Sequence, residues 1–165
     1  MTRMRLLALF PLLAVLLLGG VVSPTVALAV TPDDVASALQ KDPVYVEPDA
    51  EHAGDVDKAT VESQVRSSSQ RIFVVVLPAR AAQSYGSATG VARTIATATG
   101  QHNSVLIALV GDQLVAVAGN QTGLAAGQAQ RAVDGVSGSA TDRLVQAVRN
   151  VQQLKTGGTS GSSGA

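Results

Sequence analysis

The chain has 165 residues, no cysteine, no tryptophan, and only two tyrosines and two phenylalanines. This length supplies one domain with a hydrophobic core, and it is too short for two domains once an N-terminal leader is set aside. The absence of cysteine excludes disulfides, thiolate metal sites, a cysteine nucleophile and a lipidated cysteine. The formal charge is zero and no basic stripe with interleaved aromatic residues occurs, so we expect no nucleic-acid partner.

The N-terminal segment has the pattern of a secretory signal. Arg3 and Arg5 precede an apolar run over residues 6–18, and Ala27 and Ala29 form an A-x-A cleavage pattern. We therefore expect residues 1–29 to be a signal peptide, and the protein to be extracytoplasmic, either secreted or associated with the cell envelope. The alternative is an uncleaved signal anchor, because the apolar stretch approaches membrane-spanning length. Membrane contact is expected only through this segment, or through an anchor that the chain does not contain.

The rest of the chain predicts alternating helices and strands. Thr31 and Pro32 open a helix as N-cap and first helical residue. The apolar run 72–77 lacks alternation, which is typical of a central strand covered on both faces. In chain order, the expected elements are a helix from Pro32 to the Asp42-Pro43 pair, a strand over 44–46, an acidic loop to about Asp57, a helix over 58–69, a strand over 72–77, a helix over 84–99, strands over 105–110 and 114–118, a helix capped by Thr122, and a helix opened by Ser139.

This order predicts the fold class. Strands separated by helices indicate parallel pairing, and the turn Gly111-Asp112-Gln113 indicates that the last strand returns antiparallel to its neighbour. We expect a three-layer α/β/α sandwich around a mostly parallel sheet with one antiparallel hairpin strand. The predicted domain spans residues 30–154, and residues 155–165 form a Gly/Ser-rich flexible tail.

The usual catalytic motifs are missing from the sequence. There is no G-x-S-x-G, no S-x-x-K, no Walker loop and no G-x-G-x-x-G, and His52 and His102 are the only imidazoles. Gly119, Gly123 and Gly127 recur every four residues before a predicted helix. Their amides are either an anion site or, as we favour, the result of close packing. We assign no catalytic residue.

The acidic loop resembles the first half of a calcium loop. Asp49 and Glu51 are two residues apart, and Gly54 stands at the sixth position counted from Asp49. However, Ala53 occupies the fifth position, and Thr60 stands at the twelfth, where a bidentate Glu is needed. No cofactor is therefore assigned. Weak calcium binding and plain solvated surface charge stay open as alternatives.

The segment from Val44 to about Leu154 resembles the TPM domain of thylakoid-lumen and bacterial envelope proteins. The resemblance covers a short strand followed by an acid, the strand over 72–77, and a hairpin whose turn contains Asp112. Within that family, the Ala/Val/Gly-rich composition and the DPVYV segment are most similar to small actinobacterial, membrane-associated envelope proteins with a degenerate TPM-like domain.

The resemblance implies where a polar site would lie. Calcium binding and phosphatase activity are associated with some members, which have Asp after the first strand, Asn-Gly before the central strand, Asp-Arg in the hairpin turn and Gly-Tyr-Gly after it. At these places, this chain has Glu47, Asn103-Ser104, Asp112-Gln113 and Gly119-Asn120-Gln121, and it lacks the upstream Trp-Gly. The metal-site candidates are Glu47, Asp49, Glu51 and Asp112. Asn103 and Asn120 are further polar candidates.

Three functional hypotheses follow. The first is a non-catalytic envelope module that binds a protein partner or assists a cell-envelope process. The second is a metal-dependent phosphatase or other hydrolase of the TPM type, which requires several acids to converge. The third is a calcium-binding structural domain. One observation distinguishes these hypotheses, namely whether four residues meet in one cleft: Glu47, Asn103, Asp112 and Asn120.

Overall fold

A computed structural model of the protein describes residues 31–156, so the predicted signal peptide and residues 157–165 of the predicted tail lie outside the described residues. Residues 155 and 156, which were expected in the tail, belong to the last helix. The helices are α1 (Pro32–Lys41), α2 (Lys58–Arg66), α3 (Ala79–Ser84), α4 (Ala88–Ala98), α5 (Gln128–Val133) and α6 (Ala140–Thr156). The strands are β1 (Val44–Val46), β2 (Arg71–Leu77), β3 (Ser104–Val110) and β4 (Gln113–Ala118). In this part of the chain, no helix is both long and apolar enough to cross a membrane.

The four strands form one sheet in the order β1-β2-β3-β4. β1, β2 and β3 are parallel, with Val44 beside Val74 and Val74 beside Ile107. β4 is antiparallel to β3, as the hairpin turn predicts. Because β1, β2 and β3 run in one direction, the residues that follow them lie together at what we call the carboxyl end of the sheet. The residues that precede β3 and follow β4 lie at the opposite, amino end.

Helices cover both faces of the sheet. On one face, α2, α5 and α6 pack a core cluster that includes Val61, Val133 and Leu144. On the other face, α1 and α4 pack a second cluster that includes Leu39 and Ile95. Side chains of β2 alternate between the clusters: residues 72, 74 and 76 join the first, and residues 73, 75 and 77 join the second. The structure thus confirms the three-layer α/β/α sandwich and the doubly covered central strand.

Three of the expected helices have different bounds. The helix expected over 58–69 is α2, which ends at Arg66 with Ser67 as its C-cap. The helix expected over 84–99 is α4, which begins four residues later, at Ala88, because Ser87 caps it by accepting a hydrogen bond from the Gly90 amide at 2.9 Å. The short helix α3 before it was not expected, and Gly86, with a positive φ of 75°, separates the two. Thr122 does not cap a helix. Its hydroxyl donates to the Gly119 carbonyl at 2.8 Å and closes a turn, so that α5 begins only at Gln128.

Candidate binding site at the carboxyl end of the sheet

The carboxyl end collects the acidic loop, the start of α3 and the hairpin turn. Glu47 follows β1 directly, and its amide donates to the Val76 carbonyl of β2 at 2.9 Å. Pro78 follows β2, and Gly111 follows β3, with the Gly111 amide donating to the Leu77 carbonyl at 2.9 Å. Four of the six predicted site residues therefore lie at one end of the sheet, namely Glu47, Asp49, Glu51 and Asp112.

Two of these acids attach the loop to α3. The Ala79 amide donates to both carboxylate oxygens of Glu51, at 3.0 and 3.1 Å. Asp49 accepts a charged hydrogen bond from the guanidinium of Arg80. Both carboxylates belong to exposed residues, so each contact contributes little stability by itself, but together they hold the loop in one position.

Asp112 contacts the same loop through His52. His52 Nε2 lies 2.8 Å from Asp112 Oδ1, and His52 Nδ1 lies 3.6 Å from Asp55 Oδ2. The hydrogen bond to Asp112 is the main reason that the pKa of His52 is raised above its ordinary value. The side chain of Asp112 is 92 % exposed, whereas that of His52 is 26 % exposed. His52 is therefore a structural contact between the acidic loop and the hairpin turn.

Glu47 is the buried acid of this group, with only 8 % of its surface exposed. Its Oε2 accepts a hydrogen bond from the hydroxyl of Tyr45. The two side chains meet because residues two apart on a strand project from the same face. Burial and this contact raise the pKa of Tyr45, so the phenol stays protonated and acts as a donor.

Glu47 lines a pocket of about 370 Å³ between α1, α3 and α4. Val35, Leu77, Val91 and Ile95 form its apolar part. Other residues of the lining include Arg80 and Tyr85, and Tyr85 is the exposed large hydrophobic side chain of the described residues. The pocket has the size and the apolar character of a ligand site with few polar groups.

The remaining two site candidates lie at the amino end. Asn103 precedes β3, and Asn120 follows β4 by two residues. Their segments are adjacent, since the Gly119 amide donates to the Ser104 carbonyl at 2.9 Å and the Gln121 amide donates to the His102 carbonyl at 2.8 Å. The seven residues of β3 separate them from Asp112 by about 20 Å. Glu47, Asn103, Asp112 and Asn120 therefore do not meet in one cleft.

Gly119, the first glycine of the repeat, also lies at the amino end. A Cβ built on Gly119 would lie 2.2 Å from the His102 carbonyl oxygen, so close approach of the two backbones explains this glycine. The favoured packing interpretation holds for Gly119, although it packs against a turn and not against a helix.

The carboxylates are not arranged around a common point. Within residues 31–156, no group of three or more His, Asp or Glu side chains could hold a metal ion. Asp49, Glu51 and Asp112 each contact a different partner, and Asp57 caps α2 by accepting a hydrogen bond from the Thr60 amide at 3.1 Å. Weak calcium binding stays a prediction.

Sequence reasoning missed Tyr45, Arg80 and Tyr85 as residues of this site. A signal existed for Tyr45, because its spacing of two from Glu47 on a strand places both on one face. No local pattern indicated Arg80 or Tyr85. They reach the pocket because a short helix, α3, follows β2, and the sequence analysis predicted no element there.

No protein-family model, curated protein or solved structure matches the chain. The resemblance to the TPM domain therefore stays a prediction from the sequence.

Proposed function

We propose that the protein is a non-catalytic extracytoplasmic module of the cell envelope that binds a protein partner through the pocket at the carboxyl end of its sheet. The pocket with the buried Glu47 is the observation that supports this proposal most directly. In parallel α/β sheets, ligands bind outside the carboxyl ends of the strands, where the connecting loops converge. TPM-like family membership is part of this proposal.

The surroundings of the pocket also favour binding. Its mouth includes the exposed Tyr85, an aromatic side chain of the kind that contributes most to interfaces. The neighbouring loop is held by contacts to three elements. Besides Glu51 and His52, the hydroxyl of Thr141 in α6 donates to the Asp55 carbonyl and accepts from the Asp57 amide, both at 2.8 Å. Through the Ala79 amide and Arg80, this loop holds the start of α3, which lines the pocket. A site held in place before binding lowers the entropic cost of association.

The experiment is site-specific photo-cross-linking of the full chain in cells that export it. A photoreactive residue at Ser84, which lines the pocket, should give a discrete adduct. The same residue at Asn103 on the amino end is the matched control and should give none. Filling the pocket with Ala81→Phe should remove the Ser84 adduct while circular dichroism shows a folded protein. Equal adducts at both positions, or none at Ser84, would contradict the proposal.

Export is tested on the same material. If residues 1–29 are a signal peptide, N-terminal sequencing of the exported protein should begin at Val30 or close to it. A full-length species held in the membrane would support the signal-anchor alternative.

The runner-up function is a metal-dependent phosphatase or hydrolase of the TPM type. It needs carboxylates that hold a metal and positive charge that stabilises a phosphoryl group. The contact between His52 and Asp112 is the arrangement that most favours it, since a histidine oriented by a carboxylate can act as a base. A phosphatase assay, described in the Discussion, separates the two functions.

A further inference from the structure

The pocket at the carboxyl end combines apolar walls with one buried carboxylate. Val35, Val91 and Ile95 are each at most 2 % exposed, and they form the interior wall where α1 and α4 meet the sheet. Glu47, 8 % exposed, lines the same space. A carboxylate taken out of water in this way costs free energy unless hydrogen bonds or a cation compensate it.

The compensation that the protein itself supplies to Glu47 is partial. Oε2 accepts the hydrogen bond from Tyr45, whereas Oε1 accepts none from residues 31–156. Over the same residues, no ion pair includes Glu47. Arg80, the cation in the pocket lining, is paired with Asp49 instead. One carboxylate oxygen is thus available to a ligand on the pocket side.

The charges around Glu47 favour a positive ligand. Besides burial and Glu47 itself, the carboxylates of Asp34 and Asp49 raise the pKa of Tyr45, which shows that their negative potential reaches this spot. Asp34 belongs to the first turn of α1, beside the pocket residues Thr31 and Pro32. An anion would be repelled here, and a neutral apolar group would leave Glu47 without a partner.

We propose that this pocket binds a primary ammonium or guanidinium group at the end of an unbranched apolar chain, with the cation against Glu47 and the chain along Val35, Val91 and Ile95. The inference rests on the proposed function, because it names the chemical group by which a partner is recognised. A volume of about 370 Å³ accommodates a lysine or arginine side chain or a free alkylamine.

The test is a titration of the full chain with four matched probes. Binding is measured from the shifts of the amide NMR signals of the pocket residues. Hexylamine provides the charge and the chain, hexanoate reverses the charge, hexanol removes it, and methylammonium removes the chain. We expect hexylamine to bind with a dissociation constant on the order of 1 mM, and each other probe to bind at least about tenfold more weakly. Hexanoate or hexanol binding as well as hexylamine, or no shift with hexylamine, would overturn the inference.

Two variants change the affinity in opposite directions. Glu47→Gln keeps an acceptor for the Tyr45 hydroxyl but removes the charge, so hexylamine should bind at least about tenfold more weakly at an unchanged melting temperature. Arg80→Gln removes the cation of the lining, so hexylamine should bind about threefold more tightly. Glu62→Gln on α2, on the other face of the sheet, is the matched control and should leave the affinity unchanged. Equal affinity in wild type and Glu47→Gln would overturn the inference.

A fifth probe distinguishes two sources of the cation, a side chain of a protein and a small free amine. If Nα-acetyl-lysinamide binds as well as hexylamine, and acetylation of its side-chain amine abolishes binding, then the pocket accepts a side chain of a protein. If only hexylamine binds, the ligand is a small free amine. Failure of all amines while Ala81→Phe still removes the Ser84 adduct would refute the cation and leave the proposed function standing. Amine binding without any Ser84 adduct would support the cation site and refute the proposed binding of a protein partner.

Discussion

The two ends of the sheet look alike in the sequence but differ in the structure. Each end has a turn with a polar residue beside a glycine, Asp112 after Gly111 at the carboxyl end and Asn120 after Gly119 at the amino end. At the carboxyl end, side chains contact one another across the loop, α3 and the hairpin turn. At the amino end, the two turns are joined by backbone hydrogen bonds, and the side chains of Asn103 and Asn120 are exposed.

This difference follows from which segments reach each end. The carboxyl end receives an eleven-residue acidic loop, residues 47–57, which is long enough to fold back over two neighbouring strands. At the amino end, the nine-residue segment 119–127 is joined to the turn before β3 by backbone hydrogen bonds, and the side chains of Asn103 and Asn120 stay exposed. The position of polar residues in a sequence motif therefore indicates less about a site than the loops that cover that end of the sheet. Four predictions test this comparison, in order of decreasing expected effect.

The largest loss of stability is expected from Val75→Asp, in β2, a central strand of the sheet that connects the two ends. Val75 is completely buried in the second core cluster, so a carboxylate there loses its hydration without gaining a partner. We expect a loss of about 4 kcal/mol or more of the free energy of unfolding, measured by urea denaturation. Ala59→Asp, exposed in the first turn of α2, is the control and should change the stability by less than about 0.5 kcal/mol. A Val75→Asp protein with an unchanged melting temperature would contradict the central position of β2.

The second effect compares glycines at the two ends. Gly119→Ala at the amino end would press a Cβ against the His102 carbonyl oxygen, so we expect a loss of about 1–3 kcal/mol. Gly54→Ala, in the loop of the carboxyl end, meets no atom within 4 Å and should leave stability unchanged or slightly higher. Thermal denaturation of both variants measures this. Equal melting temperatures would mean that the two turns of the amino end are not in close contact.

The third effect is pH-dependent and belongs to the carboxyl end. Because Asp112, with a smaller contribution from Asp55, raises the pKa of His52, the folded state binds the imidazole proton more tightly than the unfolded state. The resulting stability is fully present below the unfolded pKa of about 6.5 and is lost as the pH rises through the raised pKa. We expect wild type to exceed His52→Gln by less than about 1 kcal/mol at acidic pH, since Asp112 is well exposed, and the difference to disappear at alkaline pH.

The control for this pH dependence is His102→Gln at the amino end. His102 forms no ion pair with any residue of the range 31–156. Melting temperatures of the three proteins between acidic and alkaline pH measure the effect. If both substitutions change stability with the same pH profile, the contact between His52 and Asp112 is not its source.

The smallest expected effect is on phosphate-ester hydrolysis. The purified protein should hydrolyse a generic phosphate ester no faster than a blank, with or without calcium or magnesium. The carboxylates of the carboxyl end contact separate partners, and the hairpin turn has Gln113 where a cation would be needed. Glu47→Ala and Asp112→Ala test this end, with Asn120→Ala at the amino end as the control. Turnover that the first two variants abolish and the third retains would establish the runner-up function.

Local patterns were sufficient for most of the fold. The Thr31 cap, the Pro43 stop and the Ser139 cap all lie where they were predicted, because capping depends on neighbouring residues. The run 72–77 indicated a doubly covered strand from its composition alone. The start of α4 was predicted four residues too early, because the periodicity of apolar residues does not show the turn at Gly86. The helix α3 was not predicted.

The sequence by itself determined the α/β/α layers, the parallel strands and the hairpin, because periodicity, caps and turns are local properties of the chain. It also placed acids after β1 and in the hairpin turn. Only the tertiary structure decided that Glu47 is buried beside Tyr45 while Asp112 is exposed beside His52, and that Asn103 and Asn120 lie at the other end. The reason is physical: burial and pairing depend on which helices and loops pack over each strand end, and residues far apart in the chain supply those contacts.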